Sequence, residues 1–218
     1  MKLLCVSDEV DPVVYSPRIK ERFGDVDAIL AAGDLPMEYL SYIVTMLNKP
    51  LFFVFGNHNV SDLPYYRKKH LPRLRHEDRA WGGTYVGFQV RREAGLIVAG
   101  LGGSMRYNAG PNQFTQFGMW LRVLALLPAL VFNRVFHGRF VDLVLTHAPP
   151  RGIHDREDLC HTGFSAFLWL MRAFKPVFLV HGHVHLWDAS EERQSQYKAT
   201  TVVNAYSHVV IDREPAHA

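Results

Sequence analysis

Short apolar runs recur along the chain, separated by stretches in which apolar residues return every three or four positions. Leu3–Ser7, Ala28–Ala32, Leu51–Phe55, Val141–Thr146 and Val177–His181 read as buried strands. Pro17–Phe23, Met37–Leu47 and Phe164–Phe174 carry helical spacing. The first two have a proline at or just before the start, where a helix's backbone N–H has no partner to lose. Strands alternating with helices predict an α/β protein.

Two further pairs have a different texture. Thr84–Arg91 and Leu96–Leu101 flank the polar turn Arg92-Glu93-Ala94-Gly95 and predict an antiparallel hairpin. The runs Thr200–Val203 and Val209–Ile211 predict a second antiparallel pair near the C-terminal end. The expected sheets are therefore mixed rather than purely parallel.

Phe117–Phe136 is the most hydrophobic segment. Its longest uncharged run, Val123–Asn133, has 11 residues, short of the roughly 20 that a spanning helix needs, and Pro128 interrupts it. Trp120, Leu124, Leu127 and Val131 recur at helical spacing, which predicts a helix laid on the core and kinked near Pro128. The alternative is an interfacial helix, with membrane or partner contact through 117–136.

Composition changes this picture little. The 218 residues, 48% of them hydrophobic, suit one domain spanning 1–218 with a substantial core. A formal charge of +3, from 24 basic and 21 acidic residues, indicates no nucleic-acid or membrane partner by itself. Cys5 and Cys160 make no disulfide framework and suit a reducing compartment. Asp8 and Glu9 come too early for a signal-peptide core, so the expected location is cytoplasmic. Oligomeric state leaves no mark in the pattern.

Polar residues able to bind metal stand just past the C-terminal end of one strand after another. They are Asp8, Gly33-Asp34, Gly56-Asn57-His58-Asn59, His147, and Gly182-His183-Val184-His185. Open α/β sheets bind ligands at that edge. Each piece alone has an ordinary reading: Asp8 or Asp34 as a cap or turn former, His147 as a loop histidine, Gly-Asn-His-Asn as a turn. His183 and His185, two apart on extended backbone, face the same side. Five such pieces at one edge argue against coincidence. Oxygen and imidazole donors without thiolate suit manganese, iron or zinc.

The order Asp…Gly-Asp…Gly-Asn-His…His…Gly-His-x-His resembles the calcineurin-like metallophosphoesterases, over Asp8 to His185. The resemblance implies a four-layer α/β/β/α sandwich of two mixed β-sheets flanked by helices, two bound divalent metal ions, and hydrolysis of a small phosphoester. Asp34 matches the residue bridging both ions. Asn57, His147 and His183 match the other ligands of one ion, and Asp8 and His185 match ligands of its neighbour. His58 matches the catalytic residue that faces the phosphate and protonates the leaving oxygen. Two adjacent cations activate water and stabilise an in-line displacement, so metal-bound hydroxide is the expected nucleophile and no Ser or Cys is needed.

The chain departs from that pattern twice. The resemblance implies a metal-binding histidine where Val10 stands, which leaves the first site a donor short. Three outcomes are open: an ion completed by water, replacement by Glu9, Asp11 or His161, or one ion only. Two ions with a water-filled first site is the expectation. Asn59 stands where the family often has a carboxylate beside the catalytic histidine, so His58 is oriented by an amide, without charge. Substrate-binding candidates are Asn59, Arg106 and His161. His161 reads equally as the start of the helix before the last core strand, and Arg106 as a surface residue. Asn204 is a further neighbour of the site or a turn residue.

The function expected is metal-dependent hydrolysis of a phosphomonoester or phosphodiester. The competing class is a catalytically weak or inactive binding or scaffold protein that keeps the fold. A third reading is a lipid-linked phosphoesterase with 117–136 as an apolar flap.

Overall fold

The computed structural model describes residues 1–58, 60–61, 63–67, 82–188 and 190–212. In chain order the elements begin β1 (Lys2–Ser7), α1 (Ile19–Phe23), β2 (Ala28–Ala31), α2 (Met37–Leu47), β3 (Leu51–Phe53) and α3 (Leu63–Arg67). Then come β4 (Thr84–Tyr85), β5 (Gln89–Glu93), β6 (Leu96–Leu101), β7 (Ser104–Met105), β8 (Gln113–Phe114), α4 (Gln116–Ala125) and α5 (Leu127–His137). The chain closes with β9 (Leu143–Thr146), α6 (Ser165–Phe174), β10 (Phe178–His181), β11 (Gln194–Tyr197), β12 (Thr200–Asn204) and β13 (Ser207–Asp212).

Two sheets face each other, ordered β13-β1-β2-β3-β4 and β11-β12-β10-β9-β6-β5. β1, β2, β3 and β4 run parallel, as do β6, β9, β10 and β12, while β13, β5 and β11 are antiparallel edges. Alternation along each strand then sorts side chains between layers. Leu3, Cys5, Leu30 and Phe52 of one sheet meet Val98, Leu145, Val180 and Val203 of the other in a fully buried central layer. Leu4, Val6, Ile29 and Phe53 turn the opposite way, onto Ile19 of α1 and Leu40 and Ile43 of α2. Ala99, Val144, Leu179 and Val202 face Met119 and Val123 of α4 and Phe167 and Leu170 of α6. Each fully buried Leu, Val or Phe contributes about 1.5–3 kcal/mol, so three such layers fix the four-layer α/β/β/α stacking.

Two strand pairings differ from the sequence expectation. The run 84–91 does not form one arm of a hairpin. β4 pairs with β3 in one sheet, Val86-Gly87-Phe88 crosses over, and β5 pairs with β6 in the other. The turn is Ala94-Gly95, both with positive φ. The C-terminal runs also part company: β12 lies beside β10, whereas β13 pairs with β1. Period-two alternation marks a strand but says nothing about which sheet receives it.

The apolar segment 117–136 forms two helices meeting at Leu126, with Pro128 in the first turn of the second, where it costs no hydrogen bond. One face is packed on the core, but not the expected one: Met119, Val123, Leu126 and Leu130 are at most 3% exposed, whereas Leu124 and Val131 of the predicted stripe face outward at 41% and 51%, because apolar residues on both sides of the helices leave the spacing ambiguous. The opposite face is apolar and exposed. By length and composition alone, Gln116–His137 would suffice to cross a membrane.

Candidate metal centre

Because the central strands are parallel, β1, β2, β3, β9 and β10 deliver their C-terminal ends to one edge. The chain turns sharply there. Asp8, Asp34 and His183 have φ of 66°, 55° and 67°, left-handed conformations that Asp and His tolerate better than most residues. Such backbone costs on the order of 1 kcal/mol or more per residue and gathers at functional sites. Close approach needs glycine at two positions. A Cβ on Gly56 would collide with Asp34 Oδ1, and one on Gly182 with Ser7 Oγ.

His147 sits at the centre, fully buried. Its Nδ1 donates to the Ala32 carbonyl at 2.8 Å, which aims Nε2 at Asp34 Oδ2 and Asn57 Oδ1, each 3.2 Å away. Burial works against charge on this imidazole, but the Asp34 carboxylate outweighs it and pushes the pKa up to about 9. Burial likewise opposes the Asp34 charge. The His147 ring and the His58 backbone N–H, 2.8 Å from Oδ1, override that and hold Asp34 at about 2.

His183 completes the group. Ligand atoms of Asp34, His147 and His183 lie within 4.8 Å of one another, all in buried residues. His183 donates from Nε2 to the Cys160 carbonyl at 2.8 Å, which leaves Nδ1 available as a ligand. Burial, reinforced by His147, pushes its pKa down to about 3 and keeps it neutral. Two imidazole nitrogens, a carboxylate and the Asn57 amide oxygen make a donor set that suits a divalent cation of the transition series. Backbone carbonyls orient both rings, as is usual for metal-ligating histidines.

The Asp8 side is sparser. Its side chain is buried and accepts from the His183 backbone N–H at 2.8 Å, while Oδ1 stands 3.9 Å from His185 Nε2. Burial raises the Asp8 pKa, His147 and Ser7 opposing. His185 stacks on Tyr206 at 4.7 Å between centroids. Val10 is 38% exposed and brings no donor. Neither neighbouring acid replaces it. Asp11 accepts from the backbone N–H groups of Val13 and Val14 and from Ser207 and His208, and Glu9 accepts from Tyr206.

The remaining candidates fall out unevenly. His58 is exposed at the rim. Asn59 lies outside the described residues. Arg106 is exposed, and its neighbour Tyr107 is the one that touches the site, its hydroxyl accepting from Asn57 Nδ2 at 3.2 Å. His161 is not at a helix start, since α6 begins at Ser165 with Phe164 as its cap. Its ring lies 5.2 Å from that of His183 and bonds Asp158 at 2.9 Å. Asn204 donates to the Val184 carbonyl at 2.8 Å and so braces the Gly-His-x-His turn.

Several supporting residues escaped sequence reasoning. Asn112 donates from Nδ2 to the Phe55 and Gly56 carbonyls at 3.0 and 2.6 Å and fixes the turn that carries Asn57. Ser195, His154 and His181 form a chain: Ser195 to His154 at 2.8 Å, His154 to His181 at 3.0 Å, and His181 to the Gly182 carbonyl at 2.9 Å. Tyr107 had a signal, the polar stretch after Gly102-Gly103 at the same sheet edge. Asn112 acts on backbone more than fifty residues away, and Ser195, His154 and His181 meet across separations of 27 and 41, so none of them had one.

Comparison with known proteins bears on the family and the fold. A family model described as calcineurin-like phosphoesterase matches residues 1–186. None of the curated proteins matches. One solved crystal structure, 14% identical, superposes with a TM-score of 0.63 over 97% of this chain and 94% of its own. Another, TT1561 of Thermus thermophilus, is 16% identical, with a TM-score of 0.62 over 94% and 89%. At such identities the likeness establishes the fold.

Proposed function

The chain belongs to the calcineurin-like phosphoesterase family, whose members are metal-dependent phosphoester hydrolases, and from that premise we propose that it hydrolyses a small phosphomonoester or phosphodiester at the Asp34–Asn57–His147–His183 centre. The observation that carries the reading is the convergence of three buried ligand groups within 4.8 Å. A carboxylate and two imidazoles gathered so closely offer a divalent cation oxygen and nitrogen donors at one point.

Divalent cations held there, manganese, iron or zinc, would acidify a water and neutralise charge on the phosphoryl oxygens. Asp34 lies between the two halves of the site. His147 and His183, fixed by the Ala32 and Cys160 carbonyls, would present Nε2 and Nδ1 without rotating, His147 once it has given up the proton that pairs it with Asp34. Asp8 and His185 would hold a second cation with fewer protein donors, because Val10 contributes none. His58, exposed beside Asp34 and hydrogen-bonded to it through its backbone N–H, would reach the substrate and give a proton to the leaving oxygen.

Metal analysis of the purified protein, combined with hydrolysis of aryl phosphate mono- and diesters under added manganese, tests this. Bound metal with turnover is the expected result. Bound metal without turnover of either ester class would favour the binding-protein reading, for which Val10 and Asn59 are the motive.

A further inference from the structure

We propose that the outer face of α4 and α5 docks on a phospholipid bilayer carrying anionic headgroups. The inference does not depend on the phosphoesterase reading. Phe117, Leu121 and Leu124 of α4 and Val131, Val135 and Phe136 of α5 are between 41% and 71% exposed. The spacing i, i+4, i+7 puts the first trio on one stripe, and on the second helix the i, i+4 pairs Val131/Val135 and Phe132/Phe136, the last pair's Phe132 45% exposed, make a broader apolar face. Soluble monomers rarely expose so much contiguous apolar surface without using it.

The opposite faces of both helices are sealed against the core by Met119, Val123, Leu126 and Leu130. Crossing a bilayer would strip those contacts, so a helix pair anchored this way lies in the interface instead. Charge selects the kind of surface. Residues 94–141 contain no Asp or Glu, and the charges among them are Arg106, Arg122, Arg134 and Arg139. Arg134 is exposed and engages the Gly138 carbonyl and the face of Phe140. Such cations beside an apolar stripe match the headgroup level of an anionic leaflet.

The stripe ends at a cavity of about 370 Å³ whose lining includes Arg92, Glu93, His137 and Arg139. Arg92 donates to Asn133 at 2.6 Å and lies over the exposed Phe132 ring at 5.4 Å. Glu93 is engaged by Thr84 at 2.7 Å, and Arg139 by Asp142 at 2.7 Å. The cavity thus sets guanidinium groups where a headgroup would reach once the stripe is immersed. At the other end, Gln116 bonds the Gly163 carbonyl and Ser165, which ties the stripe to the loop carrying His161.

Flotation of the full chain with vesicles of phosphatidylcholine mixed with phosphatidylglycerol, and of phosphatidylcholine alone, tests the proposal. The chain should float with the anionic vesicles and less with the neutral ones, and raised salt should weaken the association. Replacing Phe117 and Leu121 by Ser, or Val135 and Phe136 by Ser, should lower partitioning about tenfold or more. Arg134→Gln should lower it about fivefold. This variant and the salt response leave the core untouched and decide the matter even if a serine pair unfolds. Failure to float with either vesicle overturns the proposal, as does flotation indifferent to every variant. A dimer by light scattering that the serine pairs convert to monomer also overturns it, since a second copy then covers the face.

Discussion

His147 Nε2 and Asp34 Oδ2 stand 3.2 Å apart with both side chains buried. In chelated protein this is an ion pair, and each partner's pKa moves to favour it. The His147 pKa is raised from 6.5 to about 9, so its contribution is complete below pH 6.5 and is lost as pH rises through about 9. Asp34 is lowered from 3.8 to about 2, so its contribution is present above pH 3.8 and is lost as pH falls through about 2. Urea unfolding in chelator should therefore show the pair's full effect between pH 3.8 and 6.5. His147→Ala should flatten the alkaline decline.

The same pair makes metal binding proton-linked. A cation must displace the proton on His147, so affinity should climb with pH toward about 9. Titration calorimetry in buffers of different ionisation enthalpy should report proton release. Binding without it would contradict the assignment of His147 as a ligand.

Asp34→Asn removes the carboxylate central to the site. Metal retention and ester hydrolysis should each fall by about a hundredfold or more. Chelated protein should also lose about 3–5 kcal/mol, the cost of breaking a buried pair. Unchanged turnover in this variant would sink the proposed function.

His58→Ala separates chemistry from assembly. The His58 side chain is exposed, and its tie to Asp34 runs through the backbone N–H, which alanine keeps. Metal content should stay at the parent level while hydrolysis falls about 10²–10⁴-fold. Loss of metal together with activity would reassign His58 as structural.

Val10→His tests the incomplete half. Restoring a donor beside Asp8 should tighten the weaker metal about tenfold or more, read as a change in the second binding step. Asn112→Ala probes support from outside the motifs. Losing its bonds to the Phe55 and Gly56 carbonyls should cost about 1–3 kcal/mol, measurable as a lower unfolding midpoint.

The sequence carried the strand-end motifs because each depends on local chemistry: an apolar run that must be buried, then a turn built by Gly, Asp, Asn or His. Once parallel strands are inferred, their C-terminal ends share an edge, so Asp8, Asp34, Asn57, His147 and His183 were legible as neighbours. Tertiary structure alone decided that Thr84–Tyr85 and Gln89–Glu93 belong to different sheets, since alternation is a property of one strand and pairing is a choice among many. It also decided that Asp11 is satisfied by Ser207 and His208, nearly the whole chain away. Only packing showed which face of 116–137 is free. Apolar residues lie on both sides of its helices, and periodicity cannot tell a buried stripe from an exposed one when both are made of Leu, Val and Phe.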